Sequence, residues 1–221
     1  MGSQSNSRLI GLIAVAKSFA EKGRAPTVVF RPTTISLPAD RRLAVLGAKS
    51  EGKTVLLQLL AGTEKPDAGR VIAPVGLSPV VNSDRIFHRD LSVLENIRFY
   101  ARRFVVDEVC LMQAMDRFCP LAAVLDRRVG ALTMRERRGM EAALATAFAF
   151  DCYLVDDIDI LPPELAERTL AAVARRGAGV IFATDRARLA RQLADCAVVI
   201  HDQTLHPFAR IEEATRFYER G

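Results

Sequence analysis

The chain has 221 residues, half of them hydrophobic, enough for one large domain or a domain with an embedded subdomain. A formal charge of +5 permits acidic partners, but the arginines are scattered without interleaved aromatics, which argues against a nucleic-acid platform. No apolar run approaches a membrane span, and Cys110, Cys119, Cys152 and Cys196 show no C-x-x-C spacing, so reduced structural thiols are expected rather than disulfides or a metal cluster.

A polar leader, Met1–Ser7, is expected to be disordered. Arg8 and the run Leu9–Ala16, ending in Ala14-Val15-Ala16, imitate a secretory signal with its cleavage site, but the run serves equally well as an edge strand. Asn6 stands where a myristoylation pattern needs Ser or Thr. Leu9–Ala16 and Thr27–Phe30 read as strands around a turn, Glu21-Lys22-Gly23-Arg24, and Thr34–Leu37 as a short strand stopped by Pro38.

The apolar run Leu43–Leu46 then leads into Gly47-Ala48-Lys49-Ser50-Glu51-Gly52-Lys53-Thr54, followed by a helical stretch, Val55–Ala61. This is G-x-x-x-x-G-K-T between strand and helix, the phosphate-cradling P-loop in the context it requires. Backbone N–H groups of the loop and helix start would face phosphate oxygens. Lys53 would reach the β- and γ-phosphates, and the Thr54 hydroxyl would ligate Mg²⁺. The bland alternative is an ordinary glycine turn.

Pro66–Ile72 reads as a turn and short strand, while Val75–Asp90 is turn-rich and hard to assign. Three helices follow without an intervening strand: Val93–Phe104, with Ser92 and Glu95 as a capping box, Asp107–Phe118, and Met134–Ala149 capped by Thr133. They suggest a helical subdomain inserted over residues 78–150. Alternation then returns, with strands at Cys152–Val155, Val180–Ala183 and, last, Ala197–Ile200, and helices at Pro163–Arg176, Arg186–Leu193 and Ile211–Arg220. The expected fold is α/β: a P-loop NTPase core with a mainly parallel sheet, an antiparallel N-terminal β portion and the helical insert, all in one domain of residues 1–221.

A P-loop needs a carboxylate for Mg²⁺ at the end of a neighbouring buried strand. Asp156 emerges from Cys152–Val155 at the carboxyl end, where open parallel sheets bind ligands, and Asp157 stands where a general base would be placed. Two solvated acids are the alternative.

This order of motifs resembles the nucleotide-binding subunits of ABC transporters over nearly the whole chain, in particular the branch that exports capsular polysaccharide and O-antigen. Pro66-Asp67-Ala68-Gly69, the segment Leu91–Arg102, the approach Phe148–Asp157 and Lys17-Ser18-Phe19 carry the likeness. The resemblance implies adenine stacking on Phe19, ATP phosphates on Gly47–Thr54, and Mg²⁺ on Thr54 and Asp156. It also implies a separate membrane-spanning permease, a homodimer or heterodimer of ATP-binding subunits, and a cytoplasmic position on the inner membrane.

The chain departs from the family where hydrolysis is concerned. Ser50 replaces the loop's third glycine, Asp157 replaces a glutamate, and Thr184-Asp185 stands where a switch histidine is usual. The signature reads Leu132-Thr133-Met134-Arg135-Glu136, with Arg135 in place of a glycine. Ile160-Leu161-Pro162-Pro163 replaces the usual loop after Asp157, and Asn82 is the nearest thing to a glutamine-loop residue. Two activities compete: an ABC-type ATPase with weakened catalytic residues, or a nearly non-hydrolysing subunit, structural or the degenerate half of a heterodimer. An unrelated P-loop kinase or regulatory NTPase is a third class, disfavoured by the helical insert. The charged half of Met134–Arg138 is expected to be a solvated helix face, with a surface for a membrane subunit or lipid as the alternative.

Overall fold

The computed structural model describes residues 8–20, 26–81, 86–117, 119–160 and 163–220. The leader, the turn Glu21–Arg24, Asn82, Phe118, and Leu161-Pro162 lie outside them. The chain divides into two compact units: residues 1–80, 150–159 and 177–221, and residues 81–149 and 160–176.

The first unit begins with β1 (Leu9–Phe19) paired antiparallel with β2 (Thr27–Pro38). β3 (Arg42–Leu46) and α1 (Lys53–Leu60) flank the glycine-rich loop, and β4 (Ala68–Ile72) pairs with the other edge of β1. The first run is therefore the middle strand of a three-stranded sheet, not an edge. Ile10 and Leu12 point inward, then a bulge at Ala14 (φ 49) shifts the register, so that Val15 and Lys17 are the next buried residues.

The second sheet has six strands. Besides β3 it holds β5 (Leu77–Val81), β6 (Cys152–Val155), β7 (Gly179–Thr184), β8 (Cys196–His201) and β9 (Thr204–Phe208), in the order β5-β6-β7-β3-β8-β9. β6, β7, β3 and β8 run parallel, and β9 returns antiparallel. Every residue of β6 and β7 is buried, as expected for parallel strands covered on both faces. Leu43, Val45, Leu56, Leu57, Ile181 and Val198 belong to the resulting core.

Three strand readings are corrected. Thr27–Phe30 and Thr34–Leu37 are one strand, β5 lies within the turn-rich stretch Val75–Asp90, and β9 follows Ala197–Ile200 as the last strand. Each of these strands contains proline, and each is at a sheet edge, where a missing N–H leaves no ladder bond unmade. α6 (Ala187–Leu193) and α7 (Ile211–Tyr218) complete this unit.

The second unit is helical: α2 (Val93–Phe104), α3 (Glu108–Asp116), α4 (Met134–Ala147) and α5 (Pro163–Ala174). Both Ser92 and Thr133 form complete capping boxes, with Glu95 and Glu136. Asn96, 2% exposed, is held by the backbone of His88 and Ser92. The basic start of α4 is only partly a solvated face. Met134 and Arg135 are exposed, but Arg138 is buried and donates to buried Glu141 at 2.8 Å. Charge alone hid this, because the i, i+3 pair turns both groups into the packed side of the helix.

Candidate nucleotide site

The loop between β3 and α1 requires glycine at one position above all. Gly52 has φ +93, and a Cβ there would stand 2.3 Å from Val29 Cγ1. Ser50 also occupies the left-handed region, at φ 74, without glycine's freedom. α1 starts at Lys53 with no side-chain cap and no acid in its first turn, so its leading N–H groups are left for an anion. Lys53 Nζ folds back to donate to Gly47 O (2.7 Å) and Ala48 O (2.9 Å). Glu51 Oε2 accepts from Ala48 N at 2.5 Å, tying the loop to itself. Thr54 is exposed in the first turn of α1, and Lys49 is exposed at the loop's rim.

A cleft of about 380 Å³ opens beside the loop, lined by Phe19, Thr27, Val29, Ser50, Gly52, Lys53, Thr54 and Val55. Its size suits a small organic ligand. Phe19 thus shares one concavity with the second half of the glycine-rich loop, though thirty-odd positions separate them in sequence. Gly47 and Ala48 form the loop's base instead, where a Cβ on Gly47 would meet Glu51 and Ile200.

The acidic pair sits at the carboxyl end of β6. β6 does not pair with β3, as its being a neighbouring strand would require; β7 lies between them. Leu46 is in register with Thr184, and Val155 with Phe182, so the ends of three parallel strands converge on one side of the sheet. Asp156 is 8% exposed, and Asp157 is exposed with φ 45. Partial burial pushes the Asp157 carboxyl above the usual range, the charges of Asp159, Asp156 and Asp185 push it further, and Lys53 opposes them.

Sequence reasoning missed the role of Asp159. Thr184 Oγ1 donates to Asp159 Oδ2 at 2.8 Å, Arg186 N donates to Thr184 Oγ1 at 3.0 Å, and Arg186 Nε lies 3.4 Å from Asp159 Oδ1. This clasp joins the loop after β6 to the end of β7. An acid three residues beyond Asp156 was the available signal, but its partners lie 25 or more residues away.

Two oxygen donors, the Thr54 hydroxyl and Asp156 carboxylate, are the right chemistry for Mg²⁺, which takes one or two protein oxygens beside phosphate and water. Among the described residues, no cluster of three His, Cys, Asp or Glu side chains is arranged to hold a metal unaided.

In the helical unit, the stretch Leu132–Glu136 forms the start of α4. Thr133 N and Oγ1 both donate to Glu136 Oε2, at 2.7 and 2.8 Å, and Arg127 pairs with the same carboxylate group. These bonds hold the Glu136 carboxyl below its ordinary value. The helix start is thereby occupied by its own glutamate, with Met134 and Arg135 projecting into solvent.

No protein-family model matches the chain. It is 24% identical over 193 residues to the ATP-binding protein BexA of Haemophilus influenzae, covering 86% of this chain and 89% of that protein. It is 29% identical over 140 residues to the polysialic acid transport ATP-binding protein KpsT of Escherichia coli, covering 61% and 62%. A solved structure described as an ATP binding subunit of an ABC transporter superposes with a TM-score of 0.75 at 14% identity, covering 96% of this chain and 93% of that one.

Proposed function

Starting from the fold, which is that of the ABC ATPases, with sequence likeness to nucleotide-binding subunits of ABC transporters, we propose that the chain binds ATP and Mg²⁺ as the ATP-binding subunit of an exporter of capsular or other surface polysaccharide. The cleft shared by Phe19 and the glycine-rich loop carries this reading. Phe19 offers a face to adenine, Gly47–Thr54 bind the phosphates, and Thr54 and Asp156 hold Mg²⁺, which offsets phosphate charge when bound. Asp157 takes the proton of the attacking water. Its raised pKa suits it to hold a proton, while its short side chain reduces reach and keeps turnover slow.

No helix among the described residues is long and apolar enough to cross a membrane. In this reading transport takes place through a permease, with this chain docked on the inner face of the cell membrane and paired with a second ATP-binding subunit. The names of BexA and KpsT support the polysaccharide branch.

The self-capped start of α4 favours a second reading, in which the chain is the degenerate half of a heterodimer. Glu136 already takes two donors of Thr133, and Arg135 stands where close backbone approach to a partner's phosphate is needed. Phosphate release from saturating Mg-ATP, measured beside Lys53→Ala and Asp157→Ala, tests both. Turnover lost in both variants supports the ATPase; ATP binding without turnover supports the heterodimer; no ATP binding overturns both.

A further inference from the structure

Lys17 has only 9% of its side chain exposed, unusual for lysine unless it is paired. The bulge at Ala14 puts it there, by reversing which alternate residues of β1 face inward. Its ammonium lies 2.7 Å from Glu64 Oε1 and donates to Lys65 O at 2.9 Å and Asp67 Oδ1 at 3.1 Å, one acceptor for each of its three protons. The hydrogen bond to Glu64 is the main cause holding its pKa above the ordinary value against the opposing effect of burial, so it stays a cation. Asp67 also accepts from Ser18 N (2.7 Å) and Oγ (2.8 Å), and Asp67 N donates to Ala16 O (2.9 Å). The turn 64–67 lies just beyond α1 and is tied to its last turn, where the N–H groups of Thr63 and Glu64 both bond to Gln58 O. The end of β1 is thus pinned to the element that begins at the phosphate loop.

The same ammonium lies 5.0 Å from the centroid of the Phe19 ring, within cation–π range. Phe19, otherwise 41% exposed, therefore has a fixed charge against its ring while also lining the cleft. A cation on a ring draws π-density toward itself. The remaining surface becomes a better platform for a large, electron-rich base, and the ring loses the freedom to swing away.

We propose that Lys17 is a positioning and specificity-determining residue for the nucleotide base, fixing the Phe19 ring and making it select purine over pyrimidine. This rests on the reading that Phe19 meets the base. The test is calorimetric binding of Mg-ATP, Mg-CTP and Mg-tripolyphosphate to the full chain and to Lys17→Met, Lys17→Arg, Phe19→Leu and the Lys17→Met/Phe19→Leu pair. Lys17→Met is expected to weaken ATP binding about five-fold, the scale of ordering one interfacial side chain on binding, and to shrink the ATP/CTP ratio. Tripolyphosphate binding stays unchanged, Lys17→Arg restores ATP binding, and the double variant binds ATP no worse than Phe19→Leu. Equal losses for ATP and tripolyphosphate, or an unchanged ATP/CTP ratio, would overturn the proposal. Should the unmodified chain bind ATP no better than tripolyphosphate, Phe19 does not meet a base and both ideas fall. If Lys17→Met does not fold, Lys17→Gln with Glu64→Gln removes the cation without stranding the Glu64 charge, and is read the same way.

Discussion

Replacing Ser50 by glycine should stabilise the protein, although glycine usually does the opposite in an ordered loop. Ser50 has φ 74, in the left-handed region, where an L-residue costs about 1–2 kcal/mol relative to glycine. Glycine's freer unfolded chain returns about 0.4–1 kcal/mol of that. The net gain is on the order of 0.5–1 kcal/mol, or about 2 °C in midpoint for a chain of this length. Val105, at the end of α2, supplies an internal replicate. It has φ 55, it is 91% exposed, and its branched Cβ makes the same backbone harder to reach, so Val105→Gly should gain at least as much. Thermal and urea unfolding without nucleotide measure both, beside an exposed helical control such as Arg102→Gly, which should lose about 1 kcal/mol. If both loop variants are destabilised as much as the control, the left-handed positions store no strain and the reasoning is wrong.

Gly52→Ala should abolish ATP binding, because the new Cβ would lie 2.3 Å from Val29 Cγ1 and 3.0 Å from Phe30 Cζ on a backbone at φ +93; Val29→Ala in the same chain relieves the closer collision but neither the Phe30 contact nor the backbone, so titration with Mg-ATP should show at most partial recovery. Glu141→Ala should be strongly destabilising, by up to about 3–5 kcal/mol, because it breaks a buried ion pair with Arg138, whereas Arg138→Met with Glu141→Leu should recover most of the loss in urea unfolding. Glu64, Asp67, Glu95, Asp107, Glu136 and Asp195 all have depressed pKa values in the fold. Their contribution is present above their unfolded values, near pH 4, and is lost as pH falls through the lower folded values, so acid unfolding should steepen below pH 4. At the other end, burial pushes the Cys152 thiol to about 12. Its contribution is complete below the unfolded value of 9 and is lost as pH rises toward 12; Cys152→Ala should flatten that alkaline slope, and an unchanged slope would contradict the assignment.

The strand, glycine-rich loop and helix at 42–60, the Ser92–Glu95 capping box, the Thr133 cap and the buried strand before Asp156 were all legible in the sequence. In each, the residues that make the feature are contiguous, and backbone geometry alone relates them: a cap bonds three positions on, and a fully apolar four-residue run can only be an interior strand or a helix segment. The sequence by itself thus determined these contiguous elements and the chemistry they can carry. Tertiary structure decided which groups meet. Nothing local says that β7 separates β3 from β6, that prolines 32, 79 and 207 fall in edge strands, or that Asp159 reaches Thr184. Lys17 shows the reason most directly. Simple alternation from Ile10 and Leu12 puts it on the other face of β1, and one bulged residue, matched by Thr34 accepting from Ala14 N at 2.9 Å, turns it inward onto Glu64, Asp67 and Phe19. A pairing shift of one residue exchanges the faces of every position that follows, and the partner strands, not the chain's own pattern, set where that shift occurs.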